Sequence, residues 1–169
     1  NNPIDDNGHG THVAGIVAST NETYRGIAPD AGLIAMKVLS ASGSGTSANL
    51  ISGIDWCVNN ASLFNISVIT MSLGTTELFA SHCDNDDASL TSSIATAISR
   101  NISVIAATGN DDSTTGIASP ACIKNVTAVG ASTKADAIAS FSNRNGLVDL
   151  FAPGVSINST SLAGSYTIL

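Results

Sequence analysis

Two short β-branched runs, residues 66–73 and 102–107, are separated by a single helical pattern, and this alternation constrains the fold more than any other feature of the chain. The helical pattern covers residues 88–100, with Leu90, Ile94, Ala97 and Ile98 spaced to share one face. Residues 48–58 repeat the motif, carrying Leu50, Ile51, Ile54 and Val58 at helical spacing, with Thr46 or Ser47 available as a cap. Before them, residues 33–39 form a compact apolar run bounded by turn residues and read as a strand, and residues 126–129 and 148–151 read as the last strands. Strands alternating with helices of about 12 residues predict right-handed βαβ units. The expected fold is α/β, with three layers and a mainly parallel, doubly wound sheet covered by helices on both faces. No linker or low-complexity tract interrupts residues 1–169, so one domain is expected.

A chain of 169 residues, 43% of them hydrophobic, can bury a sizeable single core. Six Lys and Arg against 13 Asp and Glu give a net charge of -7, with 11% of residues charged and no basic cluster. Phosphate binding needs clustered cations, which argues against a nucleic-acid partner. No run of about 18 apolar residues is present, so no helical membrane span is expected. The sequence starts at Asn1 with neither methionine nor a basic and apolar leader, so it reads as a piece of a longer protein. Cys57, Cys83 and Cys122 show no Cys-x-x-Cys spacing, which disfavours zinc or redox chemistry. Their odd number allows one disulfide and one thiol, or pairing beyond these residues. Asn-x-Ser/Thr sequons stand at Asn21, Asn60, Asn65, Asn101, Asn125 and Asn158, and they matter if the chain takes a glycosylating secretory route.

The most reactive stretch is residues 5–16, Asp-Asp-Asn-Gly-His-Gly-Thr-His-Val-Ala-Gly-Ile. Gly8 and Gly10 flank His9, and the small apolar run at 13–18 reads as a tightly packed, buried helix. His9 then sits at a helix entrance facing a cleft. The unperturbed pKa of histidine suits a general base, although a lone histidine is more often a hydrogen-bonded structural residue. The length of the surrounding motif shifts that balance. Gly8-His9-Gly10-Thr11-His12-Val13-Ala14-Gly15 resembles the histidine motif of the subtilisin-like serine proteases, the subtilases. The resemblance extends through Gly26-Ile27-Ala28-Pro29, Lys37-Val38-Leu39, Val129-Gly130-Ala131-Ser132, Phe141-Ser142-Asn143 and Asp149-Leu150-Phe151-Ala152-Pro153-Gly154. The last two look closest to the proteinase K-like branch.

The resemblance implies that His9 is the catalytic base and His12 a structural residue. A histidine base needs a nucleophile and an oxyanion stabiliser to perform acyl transfer. Asn110 follows Gly109 at the end of a small-residue strand; alone it reads as a turn residue, whereas by resemblance it is the oxyanion-hole asparagine. Gly43, Ser44 and Gly45, with Ser72, Leu73 and Gly74, become two edges between which an extended protein or peptide substrate adds as a strand. Ala106, Ala107, Thr108 and Gly109 become a wall of the pocket for the residue before the cut, with Thr108 departing from the family's alanines. No cofactor is implied for catalysis. Structural calcium is implied at the carbonyls of Lys124 and Val126 and the carboxylate of Asp149, oxygen donors that suit the ion. Cys83 and Cys122 fall in loops that should both approach the pocket, so a disulfide between them is expected.

Subtilases carry their aspartate on a strand before the histidine motif and their serine in a Gly-Thr-Ser-Met-Ala helix, and neither occurs here. The expectation is the central part of a secreted, monomeric serine endopeptidase, inactive by itself. One rival is a catalytically inactive peptide-binding domain of the same fold. Another is an unrelated nucleotide-binding domain, which lacks support because no G-x-G-x-x-G or Gly-Lys-Ser/Thr run exists.

Overall fold

The computed structural model describes residues 4–168. In chain order the elements are α1 (His9–Ala18), α2 (Ser47–Phe64), β1 (Val68–Met71), β2 (Leu78–Phe79), α3 (Ala88–Ser99), β3 (Ser103–Ala107), β4 (Ile117–Ala118), β5 (Thr127–Ser132), β6 (Leu150–Pro153), β7 (Asn158–Thr160) and β8 (Tyr166–Ile168). They fall into two compact units, Ile54–Val155 and Asn1–Gly53 with Ser156–Leu169.

The larger unit, Ile54–Val155, is built on a parallel sheet of order β1-β3-β5-β6 flanked by helices, an α/β arrangement. Between β1 and β3 the chain passes through α3, as the hydrophobic spacing predicts. Asp87 starts this helix by accepting the Leu90 N–H at 3.0 Å, a side-chain N-cap. Leu90, Ile94 and Ala97 recur every three to four residues and are buried, with Ile94 fully so. The central strands alternate to match, with Val104, Ala106 and Ala128 buried. The edge strands do not: Val68 in β1 is 51% exposed and Leu150 in β6 is 46% exposed. The exposure lies in β1 and β6, the two strands at the edges of the sheet, while β3 and β5 have a strand on each side.

Helix α2 outruns its expected end at residue 58 and continues to Phe64, because no glycine or proline follows Val58 until Asn65 turns left-handed at φ 53°. The Thr46 hydroxyl accepts the Asn49 N–H at 3.3 Å at its start. Its continuation is tied on one side by Arg100, which donates to the Val58 carbonyl at 3.0 Å, and carries Trp56 stacked on Phe64 at 5.7 Å. A short antiparallel ribbon pairs β2 with β4, two residues each, too brief to show in periodicity. Cys83 and Cys122 form a disulfide with Cα atoms 5.5 Å apart, closing 39 residues of chain. On chain-entropy grounds such a loop contributes about 4 kcal/mol. Cys57 is left as a free, buried thiol whose pKa is pushed up by desolvation.

The smaller unit packs α1 against β7 of the antiparallel hairpin β7–β8. Ser159 donates to the His12 carbonyl at 2.8 Å and Thr160 to the Thr11 carbonyl at 2.7 Å. Gly15 is required there, since a Cβ would collide with both hydroxyls. The helix is half-buried rather than buried throughout: His12 and Gly15 are covered, but Ile16 is 37% exposed. Residues 33–39 differ from expectation more sharply. They form no strand, and Leu33 is 52% exposed. A strand exists only where a neighbour completes its ladder, and none pairs with this run among the described residues.

Candidate active-site residues

His9 is the first residue of α1, preceded by Gly8 in a left-handed conformation at φ 100°. No side chain caps the helix from Gly8 itself. The capping oxygen comes from Asp5 instead. Its Oδ1 accepts the N–H groups of Asn7 at 3.0 Å and Gly8 at 2.9 Å; its Oδ2 accepts the Thr11 N–H at 2.8 Å and the Thr11 hydroxyl at 2.7 Å. These bonds, the Gly8 N–H foremost, outweigh partial burial and hold the Asp5 carboxyl well below the usual carboxylate range. Asn7 donates to the Ala41 carbonyl at 2.9 Å, and Lys37 pairs with Asp6, so the histidine entrance and the 40–45 turn are tied within one unit. The His9 ring is exposed and makes no hydrogen bond among the described residues. His12 is the opposite case: buried, with Nε2 donating toward the Ile157 and Thr167 carbonyls at 3.2 and 3.1 Å.

Because the folded pKa of Asp5 is depressed, its contribution to stability is present above the unfolded value of about 3.9 and is lost as pH falls through the folded value. Asp5→Ala should therefore cost about 0.5–2 kcal/mol at neutral pH, the range for losing an N-cap. The gap between the melting temperatures of variant and wild type should begin to narrow below about pH 4 and close as pH falls through the folded value. A gap that stays constant with pH would contradict this role.

Gly43, Ser44 and Gly45 lie in an exposed tight turn. The Ser40 N–H donates to the Ser44 carbonyl at 2.8 Å and the Gly43 N–H to the Ser40 carbonyl at 2.9 Å. The N–H groups of Ser44 and Gly45 stay unengaged among the described residues. The expected free backbone is thus only partly free, because the turn consumes two of its own donors.

In the larger unit the register Met71↔Ala106 sets the carboxyl ends of β1 and β3 side by side. Ser72-Leu73-Gly74 continues the first and Thr108-Gly109-Asn110 the second. Ala106 and Thr108 are buried, and the Thr108 hydroxyl donates to the Asn143 carbonyl at 3.0 Å, so it presents no polar group outward. Gly109 is left-handed at φ 103°, and a Cβ there would collide with the Asn143 amide. Asn143 is completely buried and clamps the segment around Asn110. Its Oδ1 accepts the N–H groups of Asp111 at 2.8 Å and Ser113 at 3.1 Å, while Nδ2 donates to the Thr108 carbonyl at 3.1 Å and Asp111 Oδ2 at 3.0 Å. Asn110 itself is exposed, with its carboxamide engaged by nothing among the described residues.

Lys124 and Val126 flank Asn125 just before β5, and their carbonyls accept no hydrogen bond among the described residues. Asp149 Oδ2 accepts the Ala128 N–H at 2.8 Å, which leaves Oδ1 open. Among the described residues no three His, Cys, Asp or Glu side chains converge as a metal site.

Sequence reasoning gave neither Asp5 nor Asn143 a role. For Asp5 a signal existed, since Asp two to three residues before Asn-Gly is turn and cap chemistry. For Asn143 the signal was its place in the family-like segment Phe141-Ser142-Asn143, which names no partner, because its clamp spans about thirty residues of sequence.

The sequence profile of the subtilase family, peptidase S8, matches residues 1–169. The chain is 45% identical over 164 residues to the subtilisin-like serine protease AsES of Sarocladium strictum, covering 95% of this chain and 39% of that protein. It is 38% identical over 164 residues to the minor extracellular protease Epr of Bacillus subtilis, covering 96% of this chain and 24% of that one. It thus spans roughly a quarter to two fifths of the length of these curated relatives. A crystal structure of a cold-adapted subtilisin-like serine proteinase superposes with a TM-score of 0.83 at 38% identity, covering 98% of this chain and 55% of that one. With a family profile spanning every residue and a solved relative superposing on nearly the whole chain, this protein belongs to the subtilase family.

Proposed function

We propose that these residues are part of a secreted serine endopeptidase of the Ser-His-Asp type, with His9 as general base and Asn110 as a side-chain donor of the oxyanion hole. A serine hydroxyl attacks the peptide carbonyl, and His9 takes its proton as the new C–O bond forms. The tetrahedral oxyanion accepts a hydrogen bond from Asn110 Nδ2, and His9 returns the proton to the departing amine. The serine and the aspartate that orients His9 are assigned to parts of the parent protein beyond these residues, so residues 1–169 alone are expected to be inactive. Substrates are proteins or peptides bound mainly through main-chain hydrogen bonds along 43–45 and 72–74. Secretion is proposed by analogy with the extracellular relative.

The observation that carries the reading is the Asn110 carboxamide, exposed and uncommitted on a backbone that Asn143 holds fixed at the end of a parallel strand. Turn asparagines with a structural task bond their own backbone or hold a left-handed φ; Asn110 does neither. Asn110→Ala in the full-length parent should lower kcat by about 10²–10³ with KM little changed, a magnitude taken over from the corresponding loss in subtilisin. An unchanged kcat would remove Asn110 from the mechanism. A parent that binds peptides without cleaving them would be a binding domain of the same fold.

Structural calcium fits the open carbonyls of Lys124 and Val126 and the free Oδ1 of Asp149, which are all hard oxygen donors. Bound there, the ion would supply charge that ties the turn before β5 to the start of β6. Chelation should lower the melting temperature of the parent and added calcium should restore it, whereas an unmoved midpoint counts against the site.

A further inference from the structure

Asn65-Ile66-Ser67-Val68-Ile69 and Asn101-Ile102-Ser103-Val104-Ile105 are the same five-residue sequence, and each leads into a parallel strand, β1 or β3. Asn65 and Asn101 both hold a left-handed backbone, φ 53° and 60°, at the turns that follow α2 and α3. Asn125 repeats the arrangement before β5, with φ 68° and Val126-Thr127 after it. All three asparagines are exposed. Asparagine tolerates this conformation better than most residues, so turn geometry accounts for its presence. Turn geometry does not account for a hydroxyl two residues later, Ser67, Ser103 and Thr127, at every one of the three strands. Asn, a residue other than proline, then Ser or Thr is the acceptor sequence for N-linked oligosaccharide.

The remaining three sequons differ in burial and engagement. Asn21 Oδ1 accepts the N–H groups of Thr23 and Tyr24, both at 2.9 Å. Asn60 lies inside α2 and donates to the Trp56 carbonyl at 2.8 Å. Asn158 buries its Oδ1 without a partner among the described residues. None of these three is fully exposed. The strand order β1-β3-β5 and the registers Val68↔Ser103 and Ile105↔Thr127 bring Asn65, Asn101 and Asn125 to the amino end of three adjacent strands. An open depression of about 310 Å³ lies there, lined by the polar Asn101, Ser103, Asn125 and Thr127 together with Ile98, Ile102 and Val104. The candidate substrate residues follow the carboxyl ends of β1 and β3, roughly 16 Å away along a five-residue strand.

We propose that Asn65, Asn101 and Asn125 carry N-linked oligosaccharides, making the amino end of the sheet a glycan-covered face and leaving the carboxyl end bare. In the transfer, Asn Nδ2 bonds to the anomeric carbon of a lipid-diphosphate-linked oligosaccharide. The C–O bond to the diphosphate breaks with its electron pair on the departing lipid diphosphate, and Nδ2 releases one proton. Transfer precedes folding, so the fold selects which glycans a native chain can keep. It keeps those whose amide reaches solvent. The inference rests on the secretory route proposed above.

The test uses the full-length parent from its natural host, with medium and cells analysed separately. Glycans are released enzymatically in heavy-oxygen water, which marks each occupied Asn as a labelled Asp in the peptide map. Secreted protein labelled at Asn65, Asn101 and Asn125 but not at Asn21, Asn60 or Asn158 is the expected result. Ser67→Ala and Ser103→Ala, which remove exposed hydroxyls and keep the left-handed Asn, should each lower the intact mass by one glycan. Secreted protein with the three asparagines bare overturns this inference alone. Equal labelling of all six sequons overturns the selective face. Protein retained inside the cell with every sequon bare overturns the secretion reading and this one with it.

Discussion

His9→Ala in the full-length parent should lower kcat by about 10⁶-fold while leaving KM nearly unchanged, the scale known for loss of the histidine in subtilisin. The structure makes this a clean experiment. The ring is exposed and bonded to nothing among the described residues, so within them its removal orphans no partner, and in the parent it releases only the aspartate proposed to orient it. The position is the first of a helix whose cap comes from Asp5, and alanine is the best helix former there. Stability should therefore hold, and the whole loss should appear in the chemical step, measured as kcat at saturating peptide. A loss of less than about tenfold, well under what one general base contributes, would mean that the proton goes elsewhere.

Asn143→Ala should cost about 1–3 kcal/mol of stability, because truncation empties a fully buried site and leaves the part-buried Asp111 and Ser113 N–H groups without their acceptor. Denaturant unfolding of the parent reads this directly. The second consequence is kinetic. Asp111, next to Asn110, is held by the Asn143 side chain, which truncation removes, whereas the Asn143 N–H bond to the Gly109 carbonyl at 3.0 Å remains. Under conditions where the variant is still folded, kcat should fall as the carboxamide of Asn110 loses its aim. If Asn143 acts only through Asn110, the double variant Asn110→Ala/Asn143→Ala should lose no more kcat than Asn110→Ala alone, although it remains the less stable protein. Additive kcat losses would show that Asn143 does something else.

The alternation of β-branched runs with the 88–100 helix was readable because periodicity is local, and the parallel sheet followed from it. The run 33–39 is likewise short and apolar and is not a strand, since pairing depends on a neighbour that propensity does not see. The length of α2 was hidden behind polar Asn59-Asn60, which weaken a helix without breaking it. Ribbons of two residues carry no period at all. The candidate site divides in the same way. His9 and Asn110 stand out by their neighbours in sequence, whereas the groups that hold their segments do not. Asp5 lies close enough to have been found by turn chemistry. The amide of Asn143 reaches the Asn110 segment only once the chain has folded back over 30 to 32 residues.

The shared Asn-Ile-Ser-Val-Ile start of β1 and β3 also bears on how the chain finds its register. Neighbouring strands with identical first halves are interchangeable to a folding chain until the later residues are read. These diverge at once: Thr70-Met71 in the edge strand against Ala106-Ala107 in the central one. Only the alanine pair is small on both faces, as a strand flanked on each side requires, and only the edge tolerates the exposed threonine. Strand identity is therefore written in two residues per strand, and a substitution enlarging Ala106 or Ala107 would erode the distinction between the correct sheet and its transposed copy.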